Sequence, residues 1–139
     1  MTPTAVYLFS NQACAGDYKV GLSDSTLRRQ IQVRDSYHVD PVIITSAWLP
    51  SRAAAFKAET LWHRFLAHSR SAAYSGREWF ALTNEEVDRF SRWAFKAPKS
   101  AELRLLKQAG RLYGHQIDAL TKRLLDSIPT HERRPRKPV

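Results

Sequence analysis

An α+β fold built on a small antiparallel sheet is what the first hundred residues predict, and three observations carry that expectation. Two strand-like runs, Ala5-Val6-Tyr7 and Lys19-Val20-Gly21, stand eleven residues apart near the start of the chain. A capped helical pattern and a third apolar run follow. After these comes the most regular amphipathic helix in the sequence. The order is ββαβα, with a three-stranded, mainly antiparallel sheet flanked by helices, followed by an extended segment and further helices.

Residues 4–9, Thr-Ala-Val-Tyr-Leu-Phe, are rich in β-branched and aromatic types and stop at a Ser-Asn turn signal, which reads as a buried strand. Tyr18 to Leu22 reads the same way. The loop of about eight residues between them contains Gly16-Asp17, so the two runs pair as a hairpin and bring Tyr7 towards Lys19. Ser23-Asp24-Ser25 offers N-cap chemistry for a helix to about Asp35, with Leu27 and Ile31 as its apolar stripe and Arg28, Arg29 and Arg34 on the remainder. Pro41 to Trp48 is the third strand, ended by Leu49-Pro50. A helix between strands two and three makes that connection a crossover.

The helix expected over 52–69 carries Ala58, Leu61, Trp62, Phe65 and Leu66 on one stripe. Glu59 lies at the margin of that stripe and His63 one turn further along it. Residues 69–76 read as a loop, and Glu78 to Leu82 as a short strand or extended segment. Thr83 with Glu86 three residues later is a capping box for a helix to about Lys96. Ala97-Pro98-Lys99-Ser100 marks a boundary, so residues 1–97 form the main domain. Two helices, about 101–113 and 115–128, make a basic helical extension over 98–128. Residues 129–139 are too polar and Pro-rich to pack and read as a disordered basic tail.

With 139 residues the chain is long enough to bury a core without a disulfide or structural metal. Its formal charge is +9, and about two thirds of the excess lies in residues 98–139. That balance points to an anionic polymer, since each Lys or Arg meeting a phosphate releases condensed counterions. Cys14 is the only cysteine, which excludes an internal disulfide and a cysteine-based zinc site. A lone thiol, no apolar run of membrane-spanning length and no leader pattern at the start predict a cytoplasmic protein with no membrane partner.

Tyr, Lys, Arg and Glu are the groups that cleavage of a phosphodiester with one metal ion requires, and they fall in readable order here. The first 90 residues resemble the GIY-YIG nuclease superfamily. Ala5-Val6-Tyr7 stands at the first triplet and Lys19-Val20-Gly21 at the second. The similarity is closest to a phage-associated branch with Lys in place of the Tyr of YIG; Arg29, Glu59 with His63, and Glu78-Trp79-Phe80 sit where that branch has its Arg, its Glu-x-x-x-His and its Glu-aromatic-Phe. Departures are the missing Gly of the first triplet, the missing Tyr of the second, and the lack of an Asn that closes the site in many members.

The resemblance implies that Tyr7 helps to deprotonate the attacking water, with Lys19 assisting or touching the phosphate, because a phenol by itself is a poor base at neutral pH. Arg29 would clamp the scissile phosphate through its planar fork, with Arg28 as competitor. Glu59 would hold one divalent cation, Mg²⁺ or Mn²⁺, with His63 contacting phosphate or donating a proton. Gly21, Glu78 and Trp79 would support the site or serve the core. Without their companions, Tyr7 reads as a core aromatic, Lys19 as an edge-strand charge and Glu59 as a solvated helix carboxylate.

The expected activity is metal-dependent DNA endonuclease cleavage, with RNA a lesser candidate substrate. The alternative is a catalytically silent DNA-binding or regulatory module on the same fold. Arg28, Arg34, Arg104, Lys107, Arg111, Lys122, Arg123, Arg133 and Arg134 are the candidate backbone contacts. No base-reading motif or heptad seam fixes specificity or oligomeric state.

Overall fold

The computed structural model describes residues 3–37, 39–71, 78–108 and 114–130. Strands β1 (Thr4–Asn11) and β2 (Asp17–Ser23) form an antiparallel hairpin. Helix α1 (Thr26–Tyr37) leads to strand β3 (Pro41–Leu49), and helix α2 (Arg52–Phe65) ends in a single 3₁₀ turn over Ala67–Ser69. Strand β4 (Trp79–Ala81) precedes helices α3 (Asn84–Phe95), α4 (Ser100–Gln108) and α5 (Gly114–Asp126).

The sheet is wholly antiparallel, in the order β3-β1-β2-β4. It has four strands where three were expected in the core, because the segment around Trp79 pairs with Asp17 to Lys19 of β2. The α1 connection carries the chain from β2 over β1 to β3, the crossover expected from sequence. The hairpin loop is shorter than expected because the ladder runs on to Asn11 and resumes at Asp17, with Gly16 taking the left-handed turn at φ 93°.

Central position explains the apolar run of β1. Flanked on both sides and covered on both faces, it buries every residue from Thr4 to Phe9. One face, with Val6, Leu8, Val20, Ala47 and Leu49, packs on α2, α3 and α5 around Trp62, Phe90 and Trp93. The opposite face carries a smaller cluster of Tyr7, Phe9, Val33, Val39 and Trp79 under α1.

Two helix starts follow their sequence signals. Ser51 Oγ accepts from Ala54 N–H at 3.2 Å. Thr83 and Glu86 form the reciprocal capping box. The extension is tied to the main core, since Leu124 and Ile128 are buried and Trp93 Nε1–H donates to the Leu124 carbonyl at 2.8 Å.

The apolar stripe of α1 is a correction. Leu27 and Ile31 are 70% and 45% exposed, and the inward face is Arg29, Val33 and Tyr37 at a spacing of four. At 100° per residue Leu27 and Ile31 lie on the opposite side from Arg29. On that inward side Val33 and Tyr37 pack into the Tyr7–Phe9 cluster, and Arg29 reaches the Tyr7 hydroxyl.

Candidate active site

Pairing of β1 with β2 sets Tyr7 opposite Gly21 and Phe9 opposite Lys19, so Tyr7 and Lys19 project from the same face of the sheet. Lys19 Nζ donates to the Tyr7 hydroxyl oxygen at 2.9 Å, and both side chains are completely buried. Gly21 makes this possible. A Cβ there would overlap the Tyr7 hydroxyl, stand 2.6 Å from Cζ and come within 3.1 Å of Lys19 Nζ. The glycine is therefore required by close approach of a phenol, and its own backbone needs no unusual angle.

A buried ammonium needs a countercharge. Glu78, at the start of β4, provides it through a close ion pair with Lys19. The second ligand of the Tyr7 oxygen comes from α1. Ser25 caps that helix, accepting the Arg28 amide on its hydroxyl and the Arg29 amide on its carbonyl. One turn in, Arg29 Nε–H donates to Tyr7 Oη at 3.3 Å and Nη1–H to Gln32 Oε1 at 3.3 Å. The hydrogen bond to Tyr7 raises the Arg29 pKa further, so its charge is permanent. Arg28, the competitor, is exposed.

The short β4 shapes the rest. Val20 N–H donates to the Glu78 carbonyl at 3.0 Å, and beyond that bond the described part of β4 no longer covers β2. The Val20 carbonyl is taken by α2 instead, through His63 Nε2–H at 2.7 Å. His63 also packs on Phe80, with ring centroids 5.2 Å apart. Burial lowers its pKa, partly countered by this backbone bond, which leaves a neutral imidazole. His63 was expected to touch phosphate or supply a proton; its Nε2 is already committed to holding α2 against β2.

One turn before His63, Glu59 is half-buried on α2 and lies in the field of Lys19, Arg29, Glu78 and Arg52. Burial pushes its carboxyl up to about 7, Glu78 adds to the shift, and the three cations oppose it. Glu59 forms no ion pair among the described residues. Nor do three His, Cys, Asp or Glu side chains converge anywhere among them. A protein cage for a transition metal is thus lacking there, whereas one partly desolvated carboxylate suits a cation that keeps several waters and is completed by phosphate oxygens.

The geometry gathers Tyr7, Lys19, Arg29, Glu59 and Glu78 from β1, β2, α1, α2 and the start of β4 around the open stretch of β2. A T5orf172 domain model matches residues 4–95, which includes all five. The chain belongs to the T5orf172 domain family. T5orf172 is a phage-associated domain found in nuclease contexts of GIY-YIG-like and HNH-like kinds. No curated protein and no solved structure matches the chain.

The T5orf172 match ends at the last residue of α3, so α4 and α5 lie outside it. Arg104 is exposed on α4, and Lys122 and Arg123 are exposed on α5, away from the Tyr7 cluster. Arg34 is exposed and pairs with Asp35 at 3.5 Å. Arg111, Arg133 and Arg134, with most of the expected tail, fall outside the described residues, as does the Lys107 side chain. Trp79 is buried in the T5orf172 core beside Tyr37, at 5.6 Å between ring centroids. Among the described residues no helix is long and apolar enough to cross a membrane.

Sequence reasoning missed Arg52 and the directness of the Lys19–Glu78 pair. Arg52 precedes Glu59 by seven residues, two helical turns, and that spacing was the available signal. Nothing local announces a pair whose members are 59 residues apart.

Proposed function

We propose that this chain is a metal-dependent DNA endonuclease that hydrolyses phosphodiesters at the Tyr7 cluster. The observation that carries the reading is the convergence of two cationic donors, Lys19 Nζ at 2.9 Å and Arg29 Nε at 3.3 Å, on one phenol oxygen. Glu59 lies in the same field. Two cations facing one oxygen stabilise negative charge on it, which is what a phenol lacks when it must accept a proton from water.

Tyr7 serves as the phenolate, its negative charge stabilised by Lys19, which Glu78 holds in place, and its Oη takes the proton of the attacking water to become the neutral phenol. Arg29 is half-exposed, whereas Tyr7 and Lys19 lie entirely beneath the surface. An arriving phosphate therefore meets Arg29 first. Swinging the guanidinium from Tyr7 to the phosphate clamps the substrate and uncovers the phenol oxygen in one movement. Water oxygen bonds to phosphorus as the bond from phosphorus to the 3′-oxygen breaks, and that oxygen takes a proton from bulk water, leaving a 5′-phosphate and a 3′-hydroxyl. Glu59 would hold the divalent cation, Mg²⁺ or Mn²⁺, whose chemistry there is to offset charge on the phosphoryl and departing oxygens.

Complete burial of Tyr7 and Lys19 favours a second reading, in which the cluster is a structural network and the protein binds DNA without cutting it. End analysis of a labelled duplex incubated with Mg²⁺ separates the two. New 3′-hydroxyl ends made by wild type and missing with Tyr7→Phe support hydrolysis; a mobility shift with intact strands supports the silent module.

A further inference from the structure

Outside the Tyr7 cluster, a groove of about 900 Å³ runs along the free edge of β3 between the end of α3 and the start of α4. Its walls combine two aromatic rings, Trp48 and Phe95, with two lysines, Lys96 and Lys99. Phe95 is 90% exposed, an unusual position for a phenylalanine flanked by cationic residues. Neither lysine forms an ion pair among the described residues, and Glu102 is the only acid in the lining.

Two of the groove residues share a side of the sheet with Tyr7. In the β1–β3 register Tyr7 faces Ser46 and Ala5 faces Trp48, so Ser46 and Trp48 project from the same side of the sheet as Tyr7. Ser46 lines the groove as well. Opposed Cα atoms lie about 5 Å apart and two residues span about 7 Å. The Ser46 and Trp48 backbone is therefore within roughly 10 Å of Tyr7, about three base steps at 3.4 Å each.

We infer that this groove holds an unpaired DNA strand adjoining the scissile phosphate. A base stacks on Phe95 with Trp48 beside it, and Lys96 and Lys99 neutralise flanking phosphates. Aromatic faces stack any base, and cations along the wall track the backbone, the combination by which single strands are bound without sequence preference. The inference rests on the nuclease reading for the position of the scissile phosphate, and it makes the preferred substrate a duplex with a single-stranded extension.

The test is fluorescence anisotropy of the full chain in EDTA with a blunt DNA hairpin and with the same hairpin carrying a short single-stranded extension. Wild type is expected to bind the extended hairpin about tenfold more tightly, the worth of one stacked base. Phe95→Ala is expected to abolish that ratio and Phe95→Tyr to restore it. Unchanged circular dichroism of both variants establishes that the fold is intact. Lys96→Ala with Lys99→Ala is expected to lower the salt dependence of extended-hairpin binding by about 1.4 in slope, about 0.7 for each phosphate. Equal affinity of wild type for both hairpins overturns the inference, as does a preference that survives Phe95→Ala, or tighter binding of an RNA extension than of DNA. Cleavage is scored separately on plasmid: the preference without cutting defeats the nuclease reading alone, and cutting without the preference defeats the groove alone.

Discussion

The two faces of the sheet are built on different terms. Beneath α2, α3 and α5 the face is apolar, with Trp62, Phe90 and Trp93 in mutual ring contact at 4.9–5.5 Å. Beneath α1 the cluster is smaller and contains a phenol hydroxyl, and the buried Lys19 ammonium adjoins it with Glu78 and Arg29 at its border. Burial of a charge stabilises a fold less well than burial of a hydrocarbon, and removing one partner of such a pair is costly. The first face thus supplies stability, and the second holds polar and charged groups in a fixed arrangement that the first face can support.

Substitutions should separate these roles. Trp62→Ala, in the apolar face, is expected to cost about 3–5 kcal/mol in chemical denaturation and to remove all functions together through unfolding. Tyr7→Phe leaves the ring and its stacking on Phe9 in place, at a cost of about 1 kcal/mol in the same measurement, but should lower DNA cutting by about 10²–10⁴. A cutting rate close to wild type for Tyr7→Phe would dissolve the distinction between the faces.

Gly21→Ala should destabilise by about 1–3 kcal/mol, because the new methyl meets the Tyr7 ring and hydroxyl. Combining it with Tyr7→Phe removes one of the two clashing atoms, so the double variant should be more stable than the sum of the singles predicts. Strict additivity would show that the glycine does not make room for that hydroxyl.

Glu59 gives a smaller, pH-dependent effect. Its carboxyl ionises near 4.5 in the unfolded chain and at about 7 in the folded one, so between those values the folded state binds the extra proton. Stability from this group therefore falls as pH rises from about 4.5 to about 7 and then levels off. His63 acts in the opposite sense, its lowered pKa costing stability as pH falls through and below 6.5. Comparing Glu59→Gln with wild type in EDTA cancels the His63 contribution. The melting temperature of the variant should overtake that of wild type across this range, and a difference that does not change with pH would refute the assigned burial.

The smallest effect is expected on the outer side of α1. Leu27→Gln and Ile31→Gln should change stability by less than about 0.5 kcal/mol, as for surface positions generally. That pair also shows what the sequence could not reveal. Hydrophobic spacing selected Leu27 and Ile31 as the buried stripe, whereas the side facing the sheet is that of Arg29, Val33 and Tyr37, whose partners Tyr7, Phe9 and Trp79 are set by a strand pairing that no local pattern encodes. By contrast, the cap at Ser51, the Thr83–Glu86 box, the apolar run of β1 and the strand-helix order were legible, because each depends on neighbours within a few residues. Tyr7, Lys19, Arg29 and Glu59 were singled out through a resemblance in their order, and their proximity is what the structure adds. The commitment of His63 to Val20 was not, since it depends on where β4 stops covering β2.

The most direct test of the site is cleavage of supercoiled plasmid by wild type and Glu59→Gln purified identically, each with Mg²⁺, with Mn²⁺ and with EDTA. The account predicts nicking or linearisation by wild type with either metal, none in EDTA, and a loss of at least about 10² with Glu59→Gln. Equal cutting by the two proteins, or cutting that persists in EDTA, would contradict it.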